Sequence, residues 1–309
     1  MSRWPWKFAV AGSLSNKALS YPLTESHAIV TSLCYTLSML YQPLPQAPAS
    51  AEPIADVGGF RLVKLLRLTL EFFRATLVLW LLFPRLERDQ KLKQIQRWAR
   101  KVLLILELEV QCDGPLPAVR AGLMVANHLS WLDILVLQSL QPGVFVAKAE
   151  VRRWPLVGWM AQACATIFVE RSSRQSARAM IDSALAAVQQ GYSVIAFPEG
   201  TSSDGSDLAH FHANIFEAAI KTQTHAQPVT LRYLDAATGL PTDAALFIGD
   251  MTLVSSLRKV LAKSGIKARV HVGESIPAMG HNRKSLAIQA HRMIRGQLAG
   301  QGHGFGSNS

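Results

Sequence analysis

Two short stretches bring together side chains able to move a proton. The first, residues 126–133, reads ANHLSWLD and lies between the apolar runs GLMVA and ILVLQSL. It holds His128 and, five residues on, Asp133. Imidazole, with a reference pKa of about 6.5, accepts a hydroxyl proton near neutral pH. A carboxylate folded back onto the ring would fix its tautomer and stabilise the imidazolium. The same letters also spell a helix cap, because Ser130 as N-cap with Asp133 three residues later is a capping-box pattern. That cap accounts for Ser130 and Asp133 and leaves Asn127 and His128 without a role. The second stretch is FPEGT, residues 197–201, directly after the apolar VIA. Pro198 and Gly200 there shape a turn that would present Glu199, Thr201 and backbone N–H groups. By local chemistry alone it is also an ordinary turn.

The elements that must hold these stretches alternate from residue 120 onward. GLMVANH, GVFVAKAE, ATIFVER, SVIAFPEG, PVTLRYL, AALFIG and IKARVHVGE have strand character, and WLDILVLQSL, RQSARAMIDSALAAVQQ and ANIFEAAIKTQ have helical spacing. The expected fold is therefore α/β, a mostly parallel central sheet covered by helices on both faces, over residues 111–300. Reactive residues of such sheets sit beyond the carboxyl ends of the strands, the position both stretches occupy.

Composition narrows the partners. Of 309 residues 49% are apolar, enough for a substantial core. Three scattered cysteines, Cys34, Cys112 and Cys164, form no CxxC and argue against a disulfide framework or a zinc site. The net charge of +11 is unevenly spread. Residues 57–110 carry eleven basic against five acidic groups, 111–250 nine against twelve, and 251–309 nine against one. No zinc-finger spacing, RNP-like string or basic block with interleaved aromatics points to nucleic acid. Residues 59–84 instead place Arg61, Lys64, Arg67, Glu71 and Arg74 three or four apart, with Leu62, Leu65, Leu66, Phe72, Phe73 and Leu77 around them. Residues 90–110 repeat the device, with Leu92, Ile95, Trp98, Val102 and Leu106 inward and Lys93, Arg97, Arg100 and Lys101 outward. The uncharged run from Ala75 to Pro84 falls short of the ~20 residues a spanning helix needs. The expectation for 57–110 is a pair of amphipathic helices lying on an anionic membrane, and the alternative is a pair packed on the protein's own core. Residues 1–56 end in a Pro/Ala-rich linker and read as an extension or a further interfacial helix; residues 301–309 read as a flexible tail. The apolar run at 28–41 starts too far in, and is too broken by Thr and Ser, for a secretory signal peptide.

Taken together, NHLSWLD and AFPEGT carry a resemblance to the glycerolipid acyltransferase family typified by bacterial 1-acylglycerol-3-phosphate acyltransferase. NHLSWLD matches the family's first motif. ATIFVER, ending at Arg171, resembles the second, with Ala165 where glycine is common. AFPEGT matches the third, Gln227-Pro228-Val229 resembles the fourth, and Lys148 and Glu150 fit the run between motifs. The resemblance implies acyl transfer from acyl-CoA or acyl carrier protein to a lysolipid hydroxyl, at the cytoplasmic face of the inner membrane among phospholipids, without metal or cofactor. It implies His128 as base and Asp133 as its orienter. Asn127, Ser130, Lys148, Glu199, Gly200, Thr201 and Ser202 are implied around the substrates, and Arg171 against an anionic headgroup, although Arg171 also reads as a surface arginine opening a helix.

One departure bears on the acceptor. Phosphate-acceptor members usually carry arginine after FPEGT; this chain has Ser202, then Ser203-Asp204-Gly205. That loop resembles members acylating lyso-ornithine lipid; 1-acyl-sn-glycerol-3-phosphate is the first expectation, as the commoner acceptor of the family, and lyso-ornithine lipid a close second. Two other classes compete, a non-catalytic lipid-binding protein and a serine hydrolase using Ser130. The intact His128/Asp133 pair speaks against the first and the lack of a GxSxG elbow against the second.

Overall fold

The apolar runs pair into one sheet with helices on both faces. The computed structural model describes residues 57–115, 122–170 and 174–300. The expected extension over 1–56, the tail and Arg171 lie outside the described residues. Along the chain come α1 (Val57–Leu77), α2 (Arg88–Ile105), β1 (Leu108–Asp113), β2 (Gly122–Ala126), α3 (Leu132–Leu140) and β3 (Val144–Lys148). Then follow α4 (Val157–Ala163), β4 (Ile167–Val169), α5 (Arg174–Gln189), β5 (Ser193–Ala196), α6 (Phe216–Thr222) and β6 (His225–Asp235). The chain closes with α7 (Leu253–Ala262), β7 (Ile266–Val272), β8 (Ile276–Pro277) and α8 (Arg283–Gly300). The sheet order is β1-β7-β6-β2-β5-β3-β4, with β8 beside β6. Pairing is parallel except where β6 meets β7 and β8. The expected α/β fold with a mostly parallel sheet is the one observed.

Strand alternation sorts side chains into two cores. Met124 and Ala126 of β2, Ile195 of β5 and Val229, Leu231 and Tyr233 of β6 face α2, α3 and α7. Leu123, Val125, Val194 and Ala226 face α5, α6 and α8. Burial of Leu132, Val136 and Leu137 seats α3 on the first core at about 1.5–3 kcal/mol per side chain. Gln96 and Arg100 of α2 donate to the Ser139 carbonyl at 3.2 and 2.8 Å, and Gln96 also to that of Leu140 at 2.9 Å, closing the end of α3. The catalytic-looking loop at the start of α3 is thus held from both ends of its helix.

Two sequence expectations are corrected. The helix expected over residues 90–110 ends earlier: α2 stops at Ile105, Glu107 takes φ 55° in a turn, and LEV opens β1. The sheet domain therefore begins near residue 107. AALFIG is not a strand: residues 244–249 form a turn and a loop. Their apolar side chains have another use, because this loop crosses the two reactive stretches.

In α1 two of the charged residues expected on its polar face turn inward instead. Lys64 and Glu71 are each only 3% exposed. Lys64 pairs with Glu107 at 2.8 Å, and Glu71 pairs with Arg74 and with Lys101 of α2. Beside the exposed Arg61, Arg67 and Arg74, an apolar stripe faces outward: Leu62, Leu66, Leu70, Phe73, Leu77 and Trp80, with Leu66 67% and Trp80 59% exposed. The stripe continues through a π turn (Val78–Leu82) to Pro84. Among the described residues, no helix is long and apolar enough to cross a membrane.

Candidate active site

β2 is a central strand flanked by β6 and β5, and the chain leaves its carboxyl end as Asn127-His128. Asn127 is buried, and its amide mimics a strand pair. Its Nδ2 donates to the Leu231 carbonyl at 3.0 Å, and the Leu231 N–H donates to its Oδ1 at 2.7 Å. The ladder to β6 is thereby prolonged by a side chain, and the exit direction of His128 is fixed.

Asp133 then answers the cap-or-dyad question: one carboxylate does both. Its Oδ2 lies 2.8 Å from His128 Nδ1 and accepts the backbone N–H groups of Leu129 at 2.7 Å and Ser130 at 2.9 Å. Ser130 Oγ in turn accepts the Leu132 N–H at 3.2 Å. That is the reciprocal pattern of a capping box, set one residue ahead of Trp131, where the regular helix takes its cap. Asp133 is 0% exposed, so its acceptor sites must be filled from within the protein. An ionised carboxylate only accepts, so the proton shared with it sits on Nδ1 and the Nε2 lone pair is left for substrate. Nε2 has no hydrogen-bond partner among the described residues, and the His128 side chain is 21% exposed. Phe197 stacks on the imidazole at 4.0 Å between centroids and 10° between planes.

The second stretch packs against the first through Glu199. A turn closed by the Gly200 N–H on the Phe197 carbonyl at 2.9 Å, with Gly200 at φ 71°, aims Glu199 inward. Its Oε1 accepts the His128 N–H at 2.8 Å and its Oε2 the Ala209 N–H at 3.0 Å. Burial pushes the Glu199 carboxyl up, against the pull of the two N–H bonds. Further on, the Ser203 N–H donates to the His128 carbonyl at 2.8 Å. The Ser202 hydroxyl donates to the Phe247 carbonyl. The Phe247 N–H donates to the Leu129 carbonyl at 2.9 Å, so one residue of the 244–249 loop straps both stretches together.

Thr201 and Lys148 lie along the same edge of the sheet. Thr201 is exposed on the turn. Lys148 ends β3, two strands from β2, opposite Val169 at the end of β4. Arg171 lies outside the described residues. Ala165, where glycine was noted as common, takes φ 60°, the left-handed conformation that favours glycine. Asp204 is exposed and bonded to Ser206, whose N–H and hydroxyl hold its carboxyl below the usual range. Among the described residues no three metal-ligating side chains come together.

A family model described as Acyltransferase matches residues 107–232, the segment from the start of β1 through the Asn127 anchor on β6. A lyso-ornithine lipid O-acyltransferase of Pseudomonas aeruginosa is 37% identical over 204 residues, covering 66% of this chain and 77% of that protein. The chain belongs to this acyltransferase family. A 1-acyl-sn-glycerol-3-phosphate acyltransferase of Neisseria meningitidis is 32% identical over 202 residues, 65% of this chain and 78% of the relative. The crystal structure of the 1-acyl-sn-glycerophosphate acyltransferase PlsC from Thermotoga maritima shares the fold, with TM-score 0.56 and 24% identity over 80% of this chain and all of that one.

In this acyltransferase, sequence reasoning found the dyad and the turn but missed the parts that hold them. Tyr233, which donates its hydroxyl to Asp133 Oδ1 at 2.7 Å, carried no motif signal. Nor did the backbone contributions of Leu231, Ala209 and Phe247.

Proposed function

We propose that the protein transfers a fatty acyl group from a thioester, on CoA or on acyl carrier protein, to the hydroxyl of a lysolipid. The observation that carries this reading is the 2.8 Å contact of His128 Nδ1 with a fully buried Asp133, which leaves Nε2 as a base. The acceptor O–H gives its proton to Nε2 while its oxygen attacks the thioester carbonyl carbon. The tetrahedral intermediate collapses with cleavage of the C–S bond, and the imidazolium returns the proton to the departing thiolate. Asp133 stays ionised throughout and stabilises the imidazolium.

For the acceptor, two observations favour lyso-ornithine lipid over 1-acyl-sn-glycerol-3-phosphate. The position after FPEGT carries a neutral serine whose hydroxyl is spent on the Phe247 carbonyl. The Pseudomonas relative and one from Rhizobium meliloti, 34% identical, are both named for lyso-ornithine lipid. Ser202→Arg is expected to raise kcat/KM for the phosphate acceptor relative to lyso-ornithine lipid by roughly ten- to a hundredfold, the contribution of a charge-assisted contact. Ser202→Ala controls for the lost Phe247 bond. An acceptor ratio unchanged from Ser202→Ala to Ser202→Arg would remove position 202 from headgroup selection.

We place the enzyme on the membrane, at the cytoplasmic face of the inner membrane, through the outward stripe of α1, flanked by the exposed Arg61 and Arg67. Changing Leu62, Leu66, Phe73 and Trp80 together to Ser should weaken binding to phosphatidylglycerol-containing vesicles roughly a hundredfold or more, at about 1 kcal/mol or more per side chain. Cosedimentation reads this directly, and undiminished binding would move the contact surface elsewhere.

A further inference from the structure

We infer that Tyr233 is a positioning residue of the His128–Asp133 pair: its hydroxyl, donated to Asp133 Oδ1, fixes the carboxylate and sets how tightly His128 holds its proton. This rests on the acyl-transfer reading above, in which His128 is the base.

The geometry leaves Tyr233 little other use. It lies on β6 with its side chain on the α3 face, two and four residues on from Leu231 and Val229, and it is 3% exposed. Its hydroxyl reaches Oδ1 at 2.7 Å while Oδ2 carries the three N–H contacts. The four contacts occupy both oxygens, so the carboxylate cannot rotate without breaking several at once. Burial and the Asp133 anion hold the phenol well above its ordinary range, so it remains a donor at every working pH. Strand β6 thus anchors the site twice, through the Leu231 peptide on Asn127 and the Tyr233 hydroxyl on Asp133.

Removing this donor leaves the Asp133 charge less stabilised and therefore more basic, and a more basic partner tightens the proton on the imidazole. The other titratable group coupled to the pair is Glu199, after β5, which the substitution does not touch. From α7 the loop takes a neutral contact, Trp131 Nε1 donating to Ser256 Oγ at 3.0 Å. The side facing Phe197 and Phe145 is apolar.

The test uses the full chain with oleoyl-CoA and lyso-ornithine lipid, following kcat and KM from pH 5 to 9 in wild type, Tyr233→Phe and protein carrying 3-fluorotyrosine at position 233. In Tyr233→Phe, kcat should fall roughly ten- to a hundredfold, the effect of one lost hydrogen bond to a charge, with KM little changed. The acid limb of kcat/KM should move to higher pH. The fluorinated phenol is a stronger donor of nearly the same shape, so its acid limb should move to lower pH even where Tyr233→Phe folds poorly. Acid limbs that stay in place in both proteins, with any loss of rate matched by loss of folded protein, would make Tyr233 merely structural. Wild-type turnover that depends on His128 keeps that outcome separate from a failure of the acyl-transfer reading, which would show as no acylated lipid from any of the three proteins.

Discussion

Replacing His128 with alanine is expected to lower kcat/KM for acyl transfer roughly 10²- to 10⁴-fold, the usual contribution of a positioned general base. The fold should survive, because the structural ties at this position run through the backbone. The His128 N–H to Glu199 and the His128 carbonyl to Ser203 are both kept by alanine. What the variant loses is the imidazole, its bond to Asp133 and its stack on Phe197, the last contributing about 0.5–1.5 kcal/mol. Circular dichroism and thermal melting should therefore change little while turnover collapses. Loss of folding in step with loss of rate would reduce the residue to part of a helix cap.

Glu199→Gln should be the second severe substitution, for a different reason. Both Glu199 oxygens accept N–H groups, from His128 and from Ala209. Glutamine has a single acceptor oxygen, and its NH₂ must face one of those two donors. Losing a charge-assisted bond and leaving a buried donor unpaired costs about 3 kcal/mol, roughly a hundredfold in the population of correctly joined loops. In kinetic terms kcat should fall about a hundredfold, and the melting temperature should drop by roughly 6–12 °C. If Glu199 instead contacted the acceptor, the variant would raise the acceptor KM and leave kcat and melting intact.

The parts of this site that were legible in the sequence are those written locally. His128, Ser130 and Asp133 fall within one strand-to-helix turn, and Pro198 to Thr201 within one strand exit, so spacing alone pointed to proton transfer. The sheet was legible because its buried strands are short apolar runs between helical periods. The missing parts are non-local or have no side-chain signature. Tyr233 acts from a strand one hundred positions away, and nothing in QPVTLRYLD separates its hydroxyl from any buried tyrosine. Ala209 and Phe247 contribute peptide groups, which any residue type would supply. The apolar letters of AALFIG suggested a strand because covering the 126–133 and 197–203 loops demands the same side chains as lining a sheet. Two charged residues of α1 misled in the opposite way. Helical spacing put them on one face, but only tertiary structure shows that Lys64 and Glu71 turn inward to Glu107 and Lys101.

The most direct test of the central claim is a single-turnover reaction of purified protein with a radiolabelled acyl-CoA and lyso-ornithine lipid, counting acylated lipid and free thiol together. His128 acting as base for an acceptor hydroxyl predicts one acylated lipid per thiol released in the wild type, and formation of both products slowed roughly a hundredfold or more in His128→Ala. Thiol released without acylated lipid would make the protein a thioester hydrolase, and transfer undiminished in His128→Ala would place the chemistry on other residues.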